Sequence, residues 1–112
     1  MIIIMMTIEQ KKENGIITLL LDGWLDHDSS PDLEAVISEI TEASQLIIDF
    51  AKVEYISSAG IRALVAAHRK TKELDAGFSV INVNSEVMSI LSMTGIHKKL
   101  DIRPSEEPAE EK

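Results

Sequence analysis

Short runs of β-branched and aliphatic residues alternate along this chain with stretches in which apolar residues recur every three or four positions. The clearest strand-like runs are residues 16–21, 46–50 and 78–83. Such runs are typical of strands, and the intervening spacing is typical of helices that pack on a core. Because parallel strands need a long, usually helical connection, the alternation predicts an α/β fold in which helices cover a sheet.

The beginning of the chain is predicted to form a β-hairpin. Residues 1–8 are mostly isoleucine and methionine and alternate loosely, as in a strand. Asn14-Gly15 follows, a dipeptide that favours a two-residue hairpin turn because both residues tolerate positive φ. The run over residues 16–21, ended by Asp22-Gly23, is expected to pair antiparallel with the first strand.

Three stretches further along are predicted to be helices. The first begins at Ser29-Ser30-Pro31-Asp32, where the polar side chains suit N-capping and the proline suits the first helical position. The second begins at Ser57-Ser58, and the third ends near Gly95. With a last short strand over residues 100–102, the prediction is an α/β sandwich with a mixed sheet of about five strands, the antiparallel hairpin followed by parallel strands, and about three to four helices.

Length and local charge predict one domain with an acidic extension. A chain of 112 residues is long enough for one hydrophobic core and too short for two. Residues 1–103 hold all the predicted elements and are expected to form this domain. Residues 104–112 contain four glutamates and no large apolar residue, so this tail is expected to be disordered.

Composition excludes several classes of function. The chain has no cysteine, so it offers neither a disulfide, nor a thiolate metal site, nor a cysteine nucleophile. Its formal net charge of −8 would repel nucleic acid and suits a basic or mixed protein surface as partner. The apolar run over residues 1–8 is far shorter than the roughly 20 residues that a membrane span needs. We expect a cytoplasmic protein without a membrane or nucleic-acid partner.

Ser57 and Ser58 stand where the second helix is predicted to begin. A helix N-terminus exposes unpaired N–H groups and a partial positive charge, which attract hydroxyl and phosphate oxygens. A phosphoserine there would add about −1.5 to −2 charges and repel a partner that had docked against the neutral hydroxyl. The residues alone also allow the more common role, in which both serines only cap the helix.

The stretch around these serines resembles the signature of the STAS family, the family of anti-sigma factor antagonists. There an aspartate-bearing strand leads into an aromatic residue, a hydrophobic residue, an aspartate, a phosphoacceptor serine, a small hydroxyl residue and a glycine, and residues 49–64 resemble this order. Leu21-Asp22-Gly23-Trp24-Leu25-Asp26 resembles the family's Leu-x-Gly-x-Leu-Asp strand end, and residues 77–81 and 87–95 resemble its fourth strand and third helix. The resemblance covers most of the chain and implies a STAS-type sandwich.

The resemblance also implies a site. It places the phosphoacceptor at Ser58, with Ser57 as the alternative acceptor in the position where the family's regulators usually carry aspartate. Ala59 stands where a serine or threonine is frequent, which excludes a second phosphorylation there. The residues expected to contact the partner are Trp24, Asp26, His27, Asp28, Ser57, Ser58, Ala59, Gly60 and Arg62.

What the resemblance implies about function is a partner-switching cycle. The unphosphorylated protein binds an anti-sigma factor that is itself a GHKL-type serine kinase, and thereby frees a sigma factor. The kinase then phosphorylates the serine, the complex dissociates, and a metal-dependent serine phosphatase resets the switch. The chain itself is expected to be no enzyme and to bind no cofactor, because ATP and Mg²⁺ belong to the kinase. The alternative is a non-switching scaffold subunit of a lipid-transport or stressosome-like assembly.

Two rival readings rest on Asp26-His27-Asp28, the second of them on Asp26 and Asp28 together with the helix start at Ser58. Asp26-His27-Asp28 resembles a metal cluster at first glance, but in an extended segment the two aspartates and the histidine face opposite ways, so we predict no metal site. A small enzyme or nucleotide-binding protein would need a glycine-rich phosphate loop or a complete nucleophile and base set, and the sequence shows neither.

Four further residues are assigned roles. Two of them have two possible roles each, and the two histidines have one structural role each. Trp24 is either an exposed anchor for a partner or a core residue, since aromatic side chains are favoured in both settings. Arg62 is either a solvated helix residue or a cation that pairs with a phosphate or with acidic side chains of the partner. His68 is predicted to be a partly buried packing residue, and His97 a solvated one.

Overall fold

A computed structural model describes residues 6–105 and shows a five-stranded sheet covered by helices. The strands are β1 (Thr7–Glu13), β2 (Ile16–Leu25), β3 (Gln45–Ile56), β4 (Gly77–Val83) and β5 (Ile102–Pro104). The helices are α1 (Ser30–Ser38), α2 (Ser58–Glu73) and α3 (Ser85–Thr94), and a short 3-10 helix (Ile96–Lys98) follows α3. The spatial order is β1-β2-β3-β4-β5, with β1 antiparallel to β2 and all later neighbours parallel. The predicted α/β sandwich with a mixed sheet is confirmed.

The three helices lie on one face of the sheet. The parallel strands β2 to β5 are added one after another in the same direction across the sheet. Right-handed crossovers between them therefore bring α1, α2 and α3 to the same side. The burial of β3 agrees, since Leu46, Ile48 and Phe50 are fully buried while the side chains between them are only partly so. The hydrophobic core therefore fills the space between the helices and this face.

The hairpin forms at the predicted turn, but its first strand lies further along the chain than predicted. Asn14 and Gly15 have φ values of 54° and 82°, and Glu13 faces Ile16 across the turn. Pairing propagates outward from this turn, so the polar residues next to it form the strand. They tolerate this position because β1 is an edge strand. Of the predicted strand over residues 1–8, residues 1–5 lie outside the described residues.

The next two strands are longer than predicted. β2 continues past Asp22-Gly23 to Leu25, and β3 continues past the predicted run of residues 46–50 to Ile56. Two register shifts against β2 each place one extra residue in β3. Such bulges move the following side chains to the other face. A strict alternation of apolar and polar residues is therefore lost along β3.

The C-terminal elements match the prediction in type and differ slightly in position. Gly95 ends α3 in the left-handed conformation at φ 78°, as expected for the residue that follows a helix. The edge strand β5 covers Ile102–Pro104 instead of residues 100–102. The Ser105 N–H donates to the Val83 carbonyl at 2.9 Å. The rest of the predicted tail, residues 106–112, lies outside the described residues, so the division at residue 103 stays a prediction.

The two helix-associated histidines have different surroundings from each other. His68 is half-buried on α2 and its ring lies 5.5 Å from that of Phe78, which confirms the packing role. The prediction that His97 is solvated is wrong. His97 is half-buried, and its Nδ1 is buried without a hydrogen-bond partner among the residues that the structure describes. The physical reason is that the 3-10 helix packs back on the core through Ile96, while Leu100 is buried just beyond it.

The surroundings of His68 predict a pH-dependent stability. Burial, and secondarily the positive charge of Lys72, lower the pKa of His68 below its ordinary value of 6.5. The folded state then binds a proton more weakly than the unfolded state, so the contribution of neutral His68 is fully present above pH 6.5 and is lost as the pH falls below it. We expect His68→Gln to flatten the pH dependence of the free energy of unfolding below pH 6.5, measured by urea denaturation. An unchanged slope in His68→Gln would contradict the prediction.

Candidate functional site

The first turn of α2 is attached to the end of β2. Ser57 is the N-cap of α2, and its backbone N–H donates to the Leu25 carbonyl at 3.0 Å. Its own carbonyl accepts from the Ile61 N–H at 2.9 Å, and its hydroxyl accepts from the Gly60 N–H at 3.4 Å. The half-buried Ser57 therefore performs the capping role that the sequence allowed for both serines.

Ser58 differs from Ser57 in its position, its exposure and the state of its hydroxyl. It is the first residue of α2, its side chain is exposed, and its hydroxyl makes no hydrogen bond within residues 6–105. The N–H groups of a helix's first turn and the positive end of the helix dipole surround this position. The two serines thus divide two properties, since Ser57 holds the helix start and Ser58 presents a hydroxyl to solvent.

Gly60 permits the close approach of α2 to the sheet. A Cβ at this position would lie 2.6 Å from the Leu25 carbonyl oxygen and 2.7 Å from the Ile56 side chain. Both distances are too short for a side chain, and the carbonyl cannot rotate away because it already accepts the Ser57 N–H. The glycine is therefore required by space, since its φ is not in the positive region.

The loop between β2 and α1 is closed by its own side chains. Asp26 accepts, through Oδ1, the N–H groups of Asp28 at 3.0 Å and Ser29 at 3.1 Å, which is an Asx-type turn. The residues after Leu25 thus form a turn, and the prediction of an extended segment is wrong. His27 and Asp28 are exposed at its tip, whereas Asp26 is half-buried and engaged with the loop. No group of three acidic or histidine side chains that could hold a metal ion occurs within residues 6–105.

The serines before α1 do not cap that helix with their side chains. The Ser29 hydroxyl donates to the Trp24 carbonyl at 2.6 Å, and the Ser30 hydroxyl donates to the Asp26 carbonyl at 2.5 Å. Both hydroxyls are buried, and they attach the loop to the end of β2. The predicted capping by this serine pair is therefore wrong, and Pro31 is the second residue of α1, one position after the predicted one.

Trp24 and Tyr55 form an exposed aromatic pair. Their ring centroids are 5.4 Å apart at an angle of 52°, and 48% of Trp24 and 40% of Tyr55 remain exposed. Trp24 is therefore not a core residue, and its role as an anchor stays a prediction. Tyr55 was not among the residues expected to contact a partner, although its place three residues before Ser58 was a signal for it. The pair faces away from the helices. The alternate residues of β2, among them Leu25, point the other way and are buried beneath the helices.

The bulges in β3 create this pair. Val53 faces Gly23, but the next residue of β2, Trp24, faces Tyr55 because one residue of β3 is skipped. Gly23 has a φ of 126°, which few residues other than glycine adopt. Without this register shift, Trp24 would face Glu54 and the two rings would lie on opposite sides of the sheet.

The remaining predicted partner residues lie on the first turns of α2. Ala59 is half-buried, Gly60 is buried and Arg62 is exposed one turn after Ser58. Arg62 makes no ion pair within the described part of the chain, where Arg103 and Asp101 form the only one, at 2.8 Å. The structure thus brings Ser57, Ser58 and Arg62 together on one helix start and places the aromatic pair at the adjoining strand ends.

Comparison with known proteins identifies the family. The model of the STAS domain matches residues 7–109. This chain belongs to the STAS domain family. An anti-sigma F factor antagonist of Paenibacillus polymyxa is similar to it, at 22% identity over 102 residues that cover 88% of this chain and 87% of the relative.

No helix within residues 6–105 is long and apolar enough to cross a membrane.

Solved structures show the same STAS fold. An anti-sigma factor antagonist from Mycobacterium paratuberculosis superposes with a TM-score of 0.79 at 25% identity, covering 88% of this chain and 86% of that one. The antagonist SpoIIAA in its unphosphorylated form gives a TM-score of 0.70 at 14% identity, with 90% of each chain covered. Its phosphorylated form, from Bacillus, gives 0.68 at 15% identity, covering 86% of this chain and 90% of that one. These similar proteins are named as regulators.

The contact between Gly60 and the strand ends yields a prediction. Alanine is usually about 1 kcal/mol more favourable than glycine inside a helix. At position 60 its Cβ would collide with backbone, so we expect Gly60→Ala to lower the free energy of unfolding by about 1–3 kcal/mol, measured by urea denaturation. Gly77→Ala is the matched control, because a Cβ there meets its nearest atom at an ordinary 3.5 Å. Equal stabilities of the two variants would show that α2 can move away from Leu25 at no cost.

Proposed function

We propose that this STAS domain is an anti-sigma factor antagonist that binds an anti-sigma factor serine kinase and is released from it by phosphorylation of Ser58. Binding of the unphosphorylated chain would free the sigma factor held by that kinase. The observation that carries the proposal is the exposed Ser58 hydroxyl at the first turn of α2, next to a serine that already caps the helix. The names of the similar proteins support the general role.

A phosphate on Ser58 would act locally. It would place a charge of about −2 where the partner had contacted a neutral hydroxyl. The positive end of the α2 dipole would stabilise the phosphate at that position. A penalty of about 2.8 kcal/mol in binding corresponds to a hundredfold loss of affinity. No rearrangement of the fold is needed for such an effect, because Ser58 contributes no side chain to the core.

Ser58 is a better acceptor than Ser57 for two reasons. Ser57 is half-buried, and its hydroxyl accepts a hydrogen bond from the Gly60 N–H. To enter a kinase active site, this side chain would have to leave that hydrogen bond and uncap α2. The Ser58 hydroxyl is exposed and makes no such bond within residues 6–105. Ser57 in the place of the usual aspartate thus retains a capping oxygen acceptor at the helix start.

The chemistry of the cycle would be supplied by the partners. In this proposal the chain itself is no enzyme and binds no cofactor. ATP and Mg²⁺ belong to the GHKL-type kinase, and a metal-dependent serine phosphatase removes the phosphate. The cycle would take place in the cytoplasm, where sigma factors act. Ser58, Arg62 and the exposed tip of the loop at His27 and Asp28 would contribute to the docking surface.

The phosphorylation proposal is tested with purified anti-sigma factor kinases encoded by the organism that encodes this chain. The wild-type chain is expected to bind one of them with ADP and to dissociate with ATP, with a phosphate found on Ser58 by mass spectrometry. Ser58→Asp should weaken binding by about 100-fold, whereas Ser58→Ala should form a complex that persists in ATP.

Ser57→Ala is the matched control for this series. It should lower stability by about 1 kcal/mol through loss of the cap but leave phosphorylation of Ser58 intact. Phosphate found only on Ser57 would refute the choice of acceptor. A constitutive complex that is insensitive to ATP and to both Ser58 variants would instead favour a scaffold subunit of a lipid-transport or stressosome-like assembly.

The aromatic pair predicts an anchor for the same partner. Half-exposed tryptophans on binding surfaces are often the residues whose truncation costs the most affinity. We expect Trp24→Ala to weaken kinase binding by at least about tenfold at a temperature where thermal unfolding shows the variant to be folded, since its half-buried side chain also contributes to stability. Met93→Ala is the control, because Met93 is 86% exposed on α3, away from the strand ends. If both variants bind equally, Trp24 does not anchor the partner.

A further inference from the structure

Helix α2 has six exposed side chains; Glu73 is its last residue, and the other five form a line along its solvent side. These five are Ser58, Arg62, Val65, Arg69 and Lys72, which we call the α2 stripe. Their spacing of four, three, four and three residues keeps them on one side of the helix. At 1.5 Å per residue the stripe is about 21 Å long. It begins at the proposed phosphoacceptor and runs to the last turn of the helix.

The opposite side of α2 forms part of the core. Its buried residues are Gly60, Ala63, Leu64, Ala67 and Thr71. The core therefore accounts for one face of the helix only. The side chains of the α2 stripe do not contribute to it, although they occupy nearly four turns of the longest helix in the described part of the chain.

The charge of α2 is opposite to that of the protein. The helix carries four of the 11 Lys and Arg residues and one of the 19 Asp and Glu residues, on a chain with a net charge of −8. The three cations of the α2 stripe make no ion pair within residues 6–105. Glu34 of α1 and Glu73 line the groove beside Arg69 and Lys70, on the flank of the stripe, without pairing with it. A cationic surface with no internal partner is thus maintained on an acidic protein.

An apolar side chain lies at the middle of this surface. Val65 is 38% exposed and stands between Arg62 and Arg69. Protein interfaces commonly combine an apolar centre with a polar or charged rim. The α2 stripe has this arrangement within one helix, which distinguishes it from a helix face that is merely solvated.

We infer that the α2 stripe docks an acidic surface of the kinase partner, with Val65 at its centre and Arg62, Arg69 and Lys72 as its cations. This inference rests on the proposed function and adds the chemistry of the partner's surface. It replaces the expectation, drawn from the net charge, of a basic or mixed partner surface. Charge complementarity near the contact, and not the net charge, determines which surfaces fit together.

The positive charge of the α2 stripe also explains why phosphorylation would weaken the complex and not strengthen it. If the partner's surface were basic, a phosphate at Ser58 would strengthen the complex through charge-assisted hydrogen bonds. Against an acidic surface the same phosphate is repelled. In addition, Arg62 lies four residues after Ser58, at a spacing at which side chains on a helix can pair, so the phosphate would withdraw one cation from the stripe.

The test reverses charge far from the phosphoacceptor. In Arg69→Glu/Lys72→Glu the changes lie 11 and 14 residues beyond Ser58, which is about 16 and 21 Å along the helix. The probes are the purified anti-sigma factor kinases used for the Ser58 variants, and the measurements are association rates and affinities with ADP. We expect the association rate to fall by at least about tenfold at 0.05 M salt and the difference to shrink at 0.5 M, where screening is stronger.

The matched control is Lys11→Glu/Lys12→Glu on β1. It makes the same change in net charge at two exposed lysines at the opposite edge of the sheet from β5. We expect its association rate to stay within about twofold of wild type at both salt concentrations. Thermal unfolding of both double variants establishes that they are folded at the temperature of the binding measurement.

The outcomes separate this inference from the proposed function. If Ser58→Asp blocks binding while the α2 reversal leaves rate and affinity unchanged, the α2 stripe is not the docking surface and the switch stands. Tighter binding by the α2 reversal would show that the partner's surface is basic, which also overturns the inference. If no kinase binds the wild-type chain, the proposed function fails and the inference fails with it.

Discussion

The Leu25 carbonyl oxygen holds the start of α2 against the end of β2. It accepts the Ser57 N–H at 3.0 Å, and Gly60 passes so near that a Cβ would lie 2.6 Å from it. A buried carbonyl needs a hydrogen-bond partner, and here the partner is the N-cap of a helix. The contact fixes both the distance and the rotation of α2 relative to the sheet. The sides of α2 that face the core and the solvent follow from this rotation.

The rotation of α2 gives its two faces separate roles. Leu64 and Ala67 are buried against the sheet, so the fold depends on them, whereas Ser58 and Arg62 are left exposed at the helix start. A chemical change at the exposed positions therefore has little effect on the packing of the core. This separation is what the proposed switch requires, since a phosphate on Ser58 would change the surface charge while the fold stays the same. The capping hydroxyl of Ser57 supports the same separation, because the helix start does not rely on its neighbour.

Local sequence signals predicted the elements whose geometry depends on a few adjacent residues. Asn14-Gly15 is the hairpin turn, the serine pair begins α2, and Gly95 ends α3 in the left-handed conformation. The predictions that failed depend on contacts distant in sequence. The position of β1 follows from pairing across the turn, and the Ser29 hydroxyl binds the Trp24 carbonyl instead of capping α1. Propensity scales cannot include such partners, because these partners are brought close only by folding.

The amino-acid sequence by itself determined the order of strands and helices, the helix start at the serine pair and the family resemblance, because periodicity, turn residues and short motifs are local. Only the tertiary structure decided which serine is exposed and which is engaged. The register shifts between β2 and β3 decided that Tyr55 faces Trp24. The docking of α2 decided that Arg62, Arg69 and Lys72 face solvent. The physical reason is that register and rotation are set by packing between elements, which the linear order of residues does not contain.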